Sequence, residues 1–342
     1  MSIADTAAPG CIEGGRWPSF SVIINTVDRA AALATVLRAL EQQDYPCFEV
    51  IVVVGPTQDN TLQLLAGYGD RLSVLRCARA NLGESRNIGL LAARGEYVAF
   101  LDDDAAPCRT WLAQLAAAFT HPAVAAVGGS VYMVYPQGAQ LQHRFGVVSE
   151  LGEQANVRGS RTGWPEGKGR LWSERPMGTN MAFRRAALLA VGGFDTHYAW
   201  VYDDADVAWR LALGGYSVHG LAAAAVYHIP ASSRNRVVRT LAGRWYVGTQ
   251  AAAYFAVQNG RAASLPAGTI LVHVLQIAHG VWLLSGELHR DGKIDRRQMW
   301  TRRWQGTLAA GRGALAGLGR RRLLPQREAA AAAERTAMAV QT

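Results

Sequence analysis

Three adjacent aspartates, Asp102, Asp103 and Asp104, come directly after a strongly apolar run. Carboxylates this close repel one another, and the repulsion raises at least one pKa unless a positive charge lies among them. A divalent cation would supply that charge, whereas in a fully solvated turn water would screen the repulsion. Oxygen ligands of this kind suit Mg²⁺ or Mn²⁺. The run therefore predicts either a metal site that serves a phosphorylated ligand or a plain acidic turn.

A second acidic group lies in YDDADVAWR, residues 202–210. Acids in the first turn of a helix interact favourably with its dipole, and Asp206 with Arg210 has the i,i+4 spacing of an ordinary helix ion pair. Asp203 and Asp204 precede that turn, where adjacent acids can also hold a general base. The residues alone leave a structural and a catalytic role open.

Two basic side chains are candidates for metal or anion contacts. His228 follows an apolar strand pattern in VYHIP, where a histidine is either a satisfied structural residue or a metal ligand. Arg86, in ESRNIG, is either an ordinary helix residue or an arginine aimed at a phosphate. The common phosphate-binding motifs are missing, because PEGKGR lacks the Ser or Thr of a P-loop and GRGALAG has one residue too many for a dinucleotide fingerprint.

The segments that would hold these residues alternate between strand and helix patterns. Apolar runs at 21–26 and 48–54, and the run that ends at the aspartates, are separated by stretches with helical spacing. This rhythm predicts an α/β fold with an open, mostly parallel sheet, in which ligands bind at the carboxyl ends of the strands. Downstream we expect a strand at 124–135, a long polar loop from 138 to 175 and a strand pair at 217–229.

In order along the chain, five segments resemble the family 2 inverting glycosyltransferases of the GT-A fold. They are FEVIVVVGPTQDNT, NLGESRNIGLLAARGEYVAFLDDDAAP, MGTNMAFRRAALLAVGGFD, YDDADVAWRL and VYHIP, and they cover about residues 20 to 230. The resemblance implies a Rossmann-like nucleotide-diphospho-sugar transferase domain, with a mixed, mostly parallel sheet flanked by helices and a C-terminal helical extension. It also implies a metal-dependent, inverting transfer of a sugar from a nucleotide-diphosphate donor to a hydroxyl of a glycan or lipid-linked acceptor.

The resemblance assigns the acidic run to the donor and its metal ion. Asp102 and Asp103 correspond to aspartates near the donor ribose and sugar, and Asp104 corresponds to the aspartate that binds Mg²⁺ or Mn²⁺. His228 corresponds to a histidine that completes the metal site in many members. The cation would neutralise the charge that develops on the leaving diphosphate.

Two further residues are assigned to the nucleotide by the same resemblance. Thr26 corresponds to the strand-end residue that touches the base, and Arg86 to a helix arginine near the nucleotide. Two positions depart from the family pattern: Val54 stands where many relatives carry an aspartate that reads the uracil edge, and Val27 where an aromatic residue often follows the threonine. The resemblance therefore does not assign UDP as the donor nucleotide.

On the acceptor side, Asp204 corresponds to the base that deprotonates the acceptor hydroxyl. Asp203, which replaces the usual glutamate, and Asn180, in the GTN turn, are expected beside it. A direct displacement needs one carboxylate base, not the carboxylate pair of a glycosidase. Two other functions stay open: a membrane-surface binding protein with an inactive sugar-nucleotide fold, and a nucleotidyltransferase that uses the same aspartates.

The net charge of +9 is concentrated towards the C-terminal end. Residues 285–328 hold 11 Lys or Arg against 4 acidic residues, mixed with Trp and Leu, and the rest of the chain is close to neutral. A basic end on a neutral body favours an anionic membrane surface over nucleic acid as the partner. The apolar stretch 269–286 is short for a membrane span, so we expect an interfacial or buried helix there.

We expect four regions: a disordered leader at 1–18, a glycosyltransferase domain at 19–230, a helical, basic, membrane-associating extension at 231–328 and an Ala-rich tail at 329–342. The four cysteines form no CxxC pair, which predicts a reducing compartment and no disulfide framework. No signal peptide pattern is visible at the start. These features predict a cytoplasmic protein that is peripheral on the inner face of the cell membrane.

Overall fold

The computed structural model describes residues 17–157, 172–229, 241–321, 323–325 and 328. The expected Ala-rich tail lies outside the described residues, and so does the expected leader apart from Trp17 and Pro18. Within the described residues, the chain forms a large mixed sheet, a small second sheet and nine α-helices.

The first four strands are parallel and form one half of the large sheet, in the order β3-β2-β1-β4. They are β1 (Phe20–Thr26), β2 (Phe48–Val54), β3 (Ser73–Arg76) and β4 (Tyr97–Asp102). The helices between them are α1 (Ala30–Leu40), α2 (Thr61–Ala66) and α3 (Leu82–Ala92). Strands β1, β2 and β4 are almost wholly buried, as expected when helices cover both faces of a parallel sheet. The predicted alternation of strands and helices is confirmed.

The second half of the sheet mixes strand directions. Its strands are β5 (Ala105–Pro107), β6 (Val124–Tyr135), β11 (Asn180–Arg184) and β12 (Ser217–His228), and its helices are α4 (Trp111–Ala118), α5 (Arg185–Ala190) and α6 (Asp203–Leu213). Strand β11 runs antiparallel between β4 and β6, and β12 runs parallel to β6. The expected strand pair at 217–229 is wrong, because the alanine run contains no turn residue and β12 continues through it with irregular pairing.

The expected polar loop from 138 to 175 is also wrong for the residues that the structure describes. Strand β7 (Gly138–His143) pairs with β6, and β8 (Phe145–Ser149), β9 (Gln154–Val157) and β10 (Trp172–Arg175) form a separate antiparallel sheet in the order β10-β8-β9. Strand β8 is fully buried, but its five residues are too short a run to stand out among polar neighbours.

The predicted C-terminal helical extension is confirmed. It consists of α7 (Leu241–Ala262), α8 (Ala267–Arg290) and α9 (Arg296–Gly317). Helix α9 begins with a capping box, in which the Asp295 carboxylate accepts from Gln298 N and the Gln298 side chain accepts from Asp295 N. Helix α9 packs along both α7 and α8.

Helix α8 is longer and more exposed than the apolar stretch predicts. Its 24 residues make it, among the described residues, the one helix long and apolar enough to cross a membrane, by length and composition alone. Most of α8 is exposed, so this segment does not form a buried core helix. Its position in a membrane interface stays a prediction.

The cysteines differ from the prediction. Cys47 is disulfide-bonded, whereas Cys77 and Cys108 are free. Widely spaced cysteines give no pairing signal in a sequence, since pairing depends on how the fold brings them together. The cysteine pattern therefore gives no support for a reducing compartment.

Candidate active site

The acidic run lies where the central strands of the sheet end. Strand β1 lies beside β4, with Asn25 opposite Asp102, so Thr26 at the end of β1 is next to the start of the aspartates. Strand β12 ends at His228, which pairs with Ala105 of β5. Because Ala105 follows Asp104 directly, three strand ends converge on one edge of the sheet.

Three side chains at this edge form a candidate metal site. Carboxylate oxygens of Asp102 and Asp104 and a ring nitrogen of His228 all lie within 4.8 Å of one another, and His228 Nε2 is 3.1 Å from Asp104 Oδ1. The hydrogen bond to Asp104 raises the pKa of His228. Two carboxylates and one imidazole fit Mn²⁺ or Mg²⁺. The geometry brings Asp104 and His228 together as predicted and adds Asp102 as a third candidate ligand.

Arg29 supplies a positive charge that the sequence analysis missed. Its Nη1 lies 2.8 Å from Asp103 Oδ1 and 2.8 Å from Asp104 Oδ2. Burial raises the pKa of Asp103 to about 6, against the opposing effect of Arg29. Arg29 directly precedes α1, and nothing in its local sequence connects it to aspartates 74 and 75 positions away.

A cleft of about 570 Å³ opens beside the acidic run. The three aspartates and His228 line one part of it, and Thr26, Val27 and Gly55 line another. We call it the donor cleft. The side chain of Val54 is fully buried, so the wall near Val27 is lined by Gly55 and carries no carboxylate from the end of β2.

A second cavity of about 550 Å³ adjoins the donor cleft, and we call it the acceptor cavity. Both are lined by Leu82, Asp102 and Trp200, so these residues form a shared wall. Asp203 and Asp204, at the start of α6, line the acceptor cavity. The fold therefore places the acidic run and the second acidic group on two sides of one junction.

Asp204 is held by three hydrogen-bond donors. Its Oδ2 accepts from Arg175 Nη1 at 2.6 Å and from Gly178 N at 3.0 Å, and its Oδ1 accepts from Ala205 N at 2.7 Å. A carboxylate has about four lone-pair positions, so about one remains for a ligand. Arg175 was missed because β10 carries no motif, and Gly178 was missed because its contact is made by the backbone N–H, although it lies in the GTN turn.

Asp203 and Arg86 form a buried ion pair. Arg86 Nη2 also donates to Gly178 O at 3.1 Å, and burial lowers the pKa of Arg86. Arg86 lines the acceptor cavity, whereas the described residues that line the donor cleft do not include it. Its position near the nucleotide is therefore not supported, and its charge is committed to Asp203.

Asn180 is also placed differently from the expected acceptor contact. It has no exposed surface. Its Oδ1 accepts from Trp111 Nε1 at 2.9 Å, and its Nδ2 donates to Ser130 O at 3.2 Å and Ala224 O at 2.8 Å. With its amide used in this way, Asn180 joins β11 to β6, β12 and α4 and has no side available to an acceptor.

Asp206 pairs with Arg210 at 2.8 Å, which confirms the predicted helix ion pair. The carboxylate is fully buried and also contacts Arg321 and Asn259. Burial alone would raise the pKa of Asp206, but the two arginines hold it below its usual value.

Replacing Asp206 with asparagine is expected to lower the free energy of unfolding by about 3–5 kcal/mol, because two buried arginines lose their carboxylate. Urea unfolding of the variant measures this loss. The exposed Asp70 provides the control, since Asp70→Asn removes the same charge without a buried partner. Equal midpoints for the two variants would contradict the prediction.

Comparisons with known proteins agree with this architecture. Residues 21–190 match the sequence model of Glycosyl transferase family 2. The chain is 27% identical over 211 residues to glycosyltransferase AglE of Haloferax volcanii, an alignment that covers 59% of this chain and 64% of AglE. It is 36% identical over 91 residues to the poly(ribitol-phosphate) β-N-acetylglucosaminyltransferase TarS of Staphylococcus aureus, covering 25% of this chain and 16% of TarS. The matches thus span less than two thirds of either relative.

Two solved structures share the fold. TarS residues 1–349 with UDP-GlcNAc superpose with a TM-score of 0.54 and 20% identity, over 94% of this chain and 89% of that chain. GalNAc-T7 with UDP, GalNAc and Mn²⁺ superposes with a TM-score of 0.52 and 15% identity, over 74% of this chain and 52% of that one. The match over residues 21–190 assigns that segment to glycosyltransferase family 2, and the likeness to the two solved structures shows the GT-A fold.

Proposed function

We propose that the protein is a metal-dependent, inverting glycosyltransferase that moves a sugar from a nucleotide-diphosphate donor to a hydroxyl of a glycan or lipid-linked acceptor. The observation that carries the proposal is the junction at Asp102 and Trp200, where a cleft with a candidate metal site meets a cavity that holds a candidate base. Two reactants bound in adjoining cavities are brought to reacting distance without a covalent intermediate.

The roles of the residues follow from their positions. Asp102, Asp104 and His228 hold Mn²⁺ or Mg²⁺, which supplies neutralisation of the charge on the leaving diphosphate. Thr26 and Asp103 face the donor in the same cleft. Asp204 accepts the proton of the acceptor hydroxyl through the lone-pair position that Arg175, Gly178 and Ala205 leave open.

Inversion is supported by the separation of these groups. The proposed base lines one cavity and the candidate metal ligands Asp104 and His228 line the other, an arrangement consistent with an acceptor oxygen that attacks from the side opposite the leaving diphosphate. A single carboxylate suffices for such a displacement.

The proposal is tested with purified protein, a panel of nucleotide-diphosphate sugars and Mn²⁺. Release of nucleoside diphosphate, dependent on the metal, is the expected result. Release of pyrophosphate would instead identify a nucleotidyltransferase. Absence of turnover with every donor, together with retained vesicle binding, would identify a binding protein with an inactive fold.

We also propose that α8 and α9 rest on an anionic membrane surface. On α9, Trp300, Trp304, Leu308 and Leu315 are exposed and fall within about 80° of one another around the helix. The exposed apolar residues of α8 are Leu271, Val272, Leu275, Leu283 and Leu284. Exposed Trp and Leu beside arginine are typical of helices that lie in the lipid interface.

Charge complementarity supports a lipid occupant on the cytoplasmic side. The guanidinium of Arg303 lies 5.1 Å from the rings of both Trp282 and Trp300, so cation and aromatic groups are presented together where α8 meets α9. The cytoplasmic leaflet is anionic and attracts such segments. The name of the relative TarS gives poly(ribitol-phosphate) as its acceptor, and we propose a glycan or lipid-linked acceptor for this chain.

Replacing Trp304 and Leu308 together with serine is expected to reduce binding to anionic vesicles by about 10²-fold or more, because two side chains lose apolar burial worth ~1.5–3 kcal/mol each. Co-sedimentation with vesicles measures the change. Leu62→Ser removes a similarly exposed leucine from α2 and serves as the control. Unchanged binding of the double variant would refute the surface, and wild-type protein that resists alkaline carbonate washing would indicate that α8 spans the bilayer.

A further inference from the structure

The chain after α9 folds back onto the glycosyltransferase domain. Gln258 Nε2 on α7 donates to Gly319 O at 2.7 Å, and Leu324 N donates to Gly192 O at 2.9 Å. A Cβ on Gly192 would lie 3.0 Å from the Leu323 side chain, which shows how closely the two segments pack. We call the described residues of 318–325 the return segment.

Arg321 carries a charge from the return segment into the domain. It contacts the carboxylate of Asp206, its Nη2 donates to Asn259 Oδ1 at 2.6 Å, and its Nη1 lies 4.0 Å from Asp195 Oδ2. Both aspartate side chains are 0% exposed. Arg321 belongs to the basic stretch 285–328, for which we expect contact with a membrane surface, but its side chain is only 14% exposed.

The two aspartates that Arg321 faces stand at the two ends of one short stretch of chain. The residues between Asp195 and Asp206 include Trp200, which lines both cavities, and Asp203 and Asp204, which line the acceptor cavity. Arg321 therefore ties together the two ends of the segment that carries the shared wall and the proposed base.

That segment has reason to need support. Tyr202 has φ +72°, a left-handed conformation that a tyrosine rarely adopts. Such residues persist where their surroundings hold them. Here Tyr254 Oη donates to Asp195 Oδ2 at 2.7 Å, and the Tyr254 ring stacks on His197 at 3.8 Å. Tyr202 itself packs on Phe255 of α7. Side chains of α7 therefore support this segment at both Asp195 and Tyr202.

We infer that Arg321 is a positioning residue for the acceptor side of the site: it fixes the segment 195–206 from outside the glycosyltransferase domain and thereby fixes Asp204. The inference rests on the proposed function only for its catalytic consequence. The C-terminal extension then completes the site in addition to meeting the membrane. A loss of the Arg321 contacts removes a link between Asp195 and Asp206, which keep their separate partners Tyr254 and Arg210, and small displacements of a base have large effects on rate.

The test compares Arg321→Met with Arg320→Met in the full chain, because Arg320 is the exposed neighbour of the same charge. Arg321→Met is expected to lower kcat per folded molecule by about tenfold or more, with a smaller effect on the donor KM, because Trp200 is the one residue of the segment that also lines the donor cleft. Amide hydrogen exchange in 195–206 is expected to rise, while β1 and β4 keep their protection. Arg320→Met is expected to match the wild type in both measurements.

Two milder variants keep the test decisive if Arg321→Met does not fold. Arg321→Lys keeps the charge but not the fork that reaches Asn259, and Tyr254→Phe removes the hydroxyl bonded to Asp195; each is expected to give intermediate kcat and exchange. Wild-type values for both, or for Arg321→Met when it folds, overturn the inference. A wild-type protein that transfers no sugar overturns the proposed function, and the exchange measurement then still decides whether Arg321 fixes the segment.

Discussion

Replacing Asp204 with asparagine is expected to lower the rate of sugar transfer by ~10²-fold or more while metal-dependent donor binding is retained. Asparagine keeps the size of the side chain and can still accept from Gly178 N and Arg175, but it cannot take the acceptor proton. Asp204 does not line the donor cleft, and its hydrogen bonds go to Arg175 and Gly178. We therefore expect nucleotide binding to stay unchanged. Steady-state transfer and a donor-induced shift in Tm separate the two effects.

Asp203→Asn is the informative companion variant. Asp203 is paired with the buried Arg86, so its replacement is expected to reduce stability more than the rate per folded molecule. If Asp203→Asn abolishes transfer and Asp204→Asn does not, the base has been misassigned. If neither variant slows transfer, base-assisted displacement at this site is wrong.

Removing the proposed metal ion, or its proposed ligand Asp104, is expected to reduce transfer by about 10³-fold or more, since neutralisation of a leaving diphosphate is worth several kcal/mol. EDTA should stop the wild-type enzyme, and added Mn²⁺ should restore it. Asp104→Ala should not be restored by the same addition, because the carboxylate shared by His228 and Arg29 is gone.

Metal binding itself provides a second measurement of this prediction. Mn²⁺ should raise the Tm of the wild type in the presence of nucleoside diphosphate, and the rise should be lost in Asp104→Ala and kept in the control Asp70→Ala. Undiminished transfer in excess chelator would contradict the metal site.

The strands, and the sheet edge at which a ligand is expected, could be predicted because each strand is recognised from its own residues. The apolar runs of β1, β2 and β4 need only their own residues to be recognised, and parallel strands bring their carboxyl ends together. Asp104 and His228, although far apart in sequence, were expected together because the family resemblance assigns both to the metal site.

The supporting charges could not be predicted because their signals are not local. Arg29, Arg175 and Arg321 each contact an aspartate from a segment that carries no motif, and Arg321 is 115 positions from Asp206. Asn180 was misplaced for a similar reason, since only the fold shows that Trp111, 69 positions away, uses its amide oxygen. Partners of this kind follow from topology and packing.

Gly248 of α7 is part of the wall of the acceptor cavity, although α7 begins beyond the segment that matches the family. A Cβ at this position would meet nothing within 4 Å, so larger side chains can enter the cavity there without disturbing the packing. Under the proposed function, a substitution at Gly248 therefore changes the shape of the acceptor cavity from a helix that carries none of the proposed catalytic or metal-binding residues, while the donor cleft stays as it is.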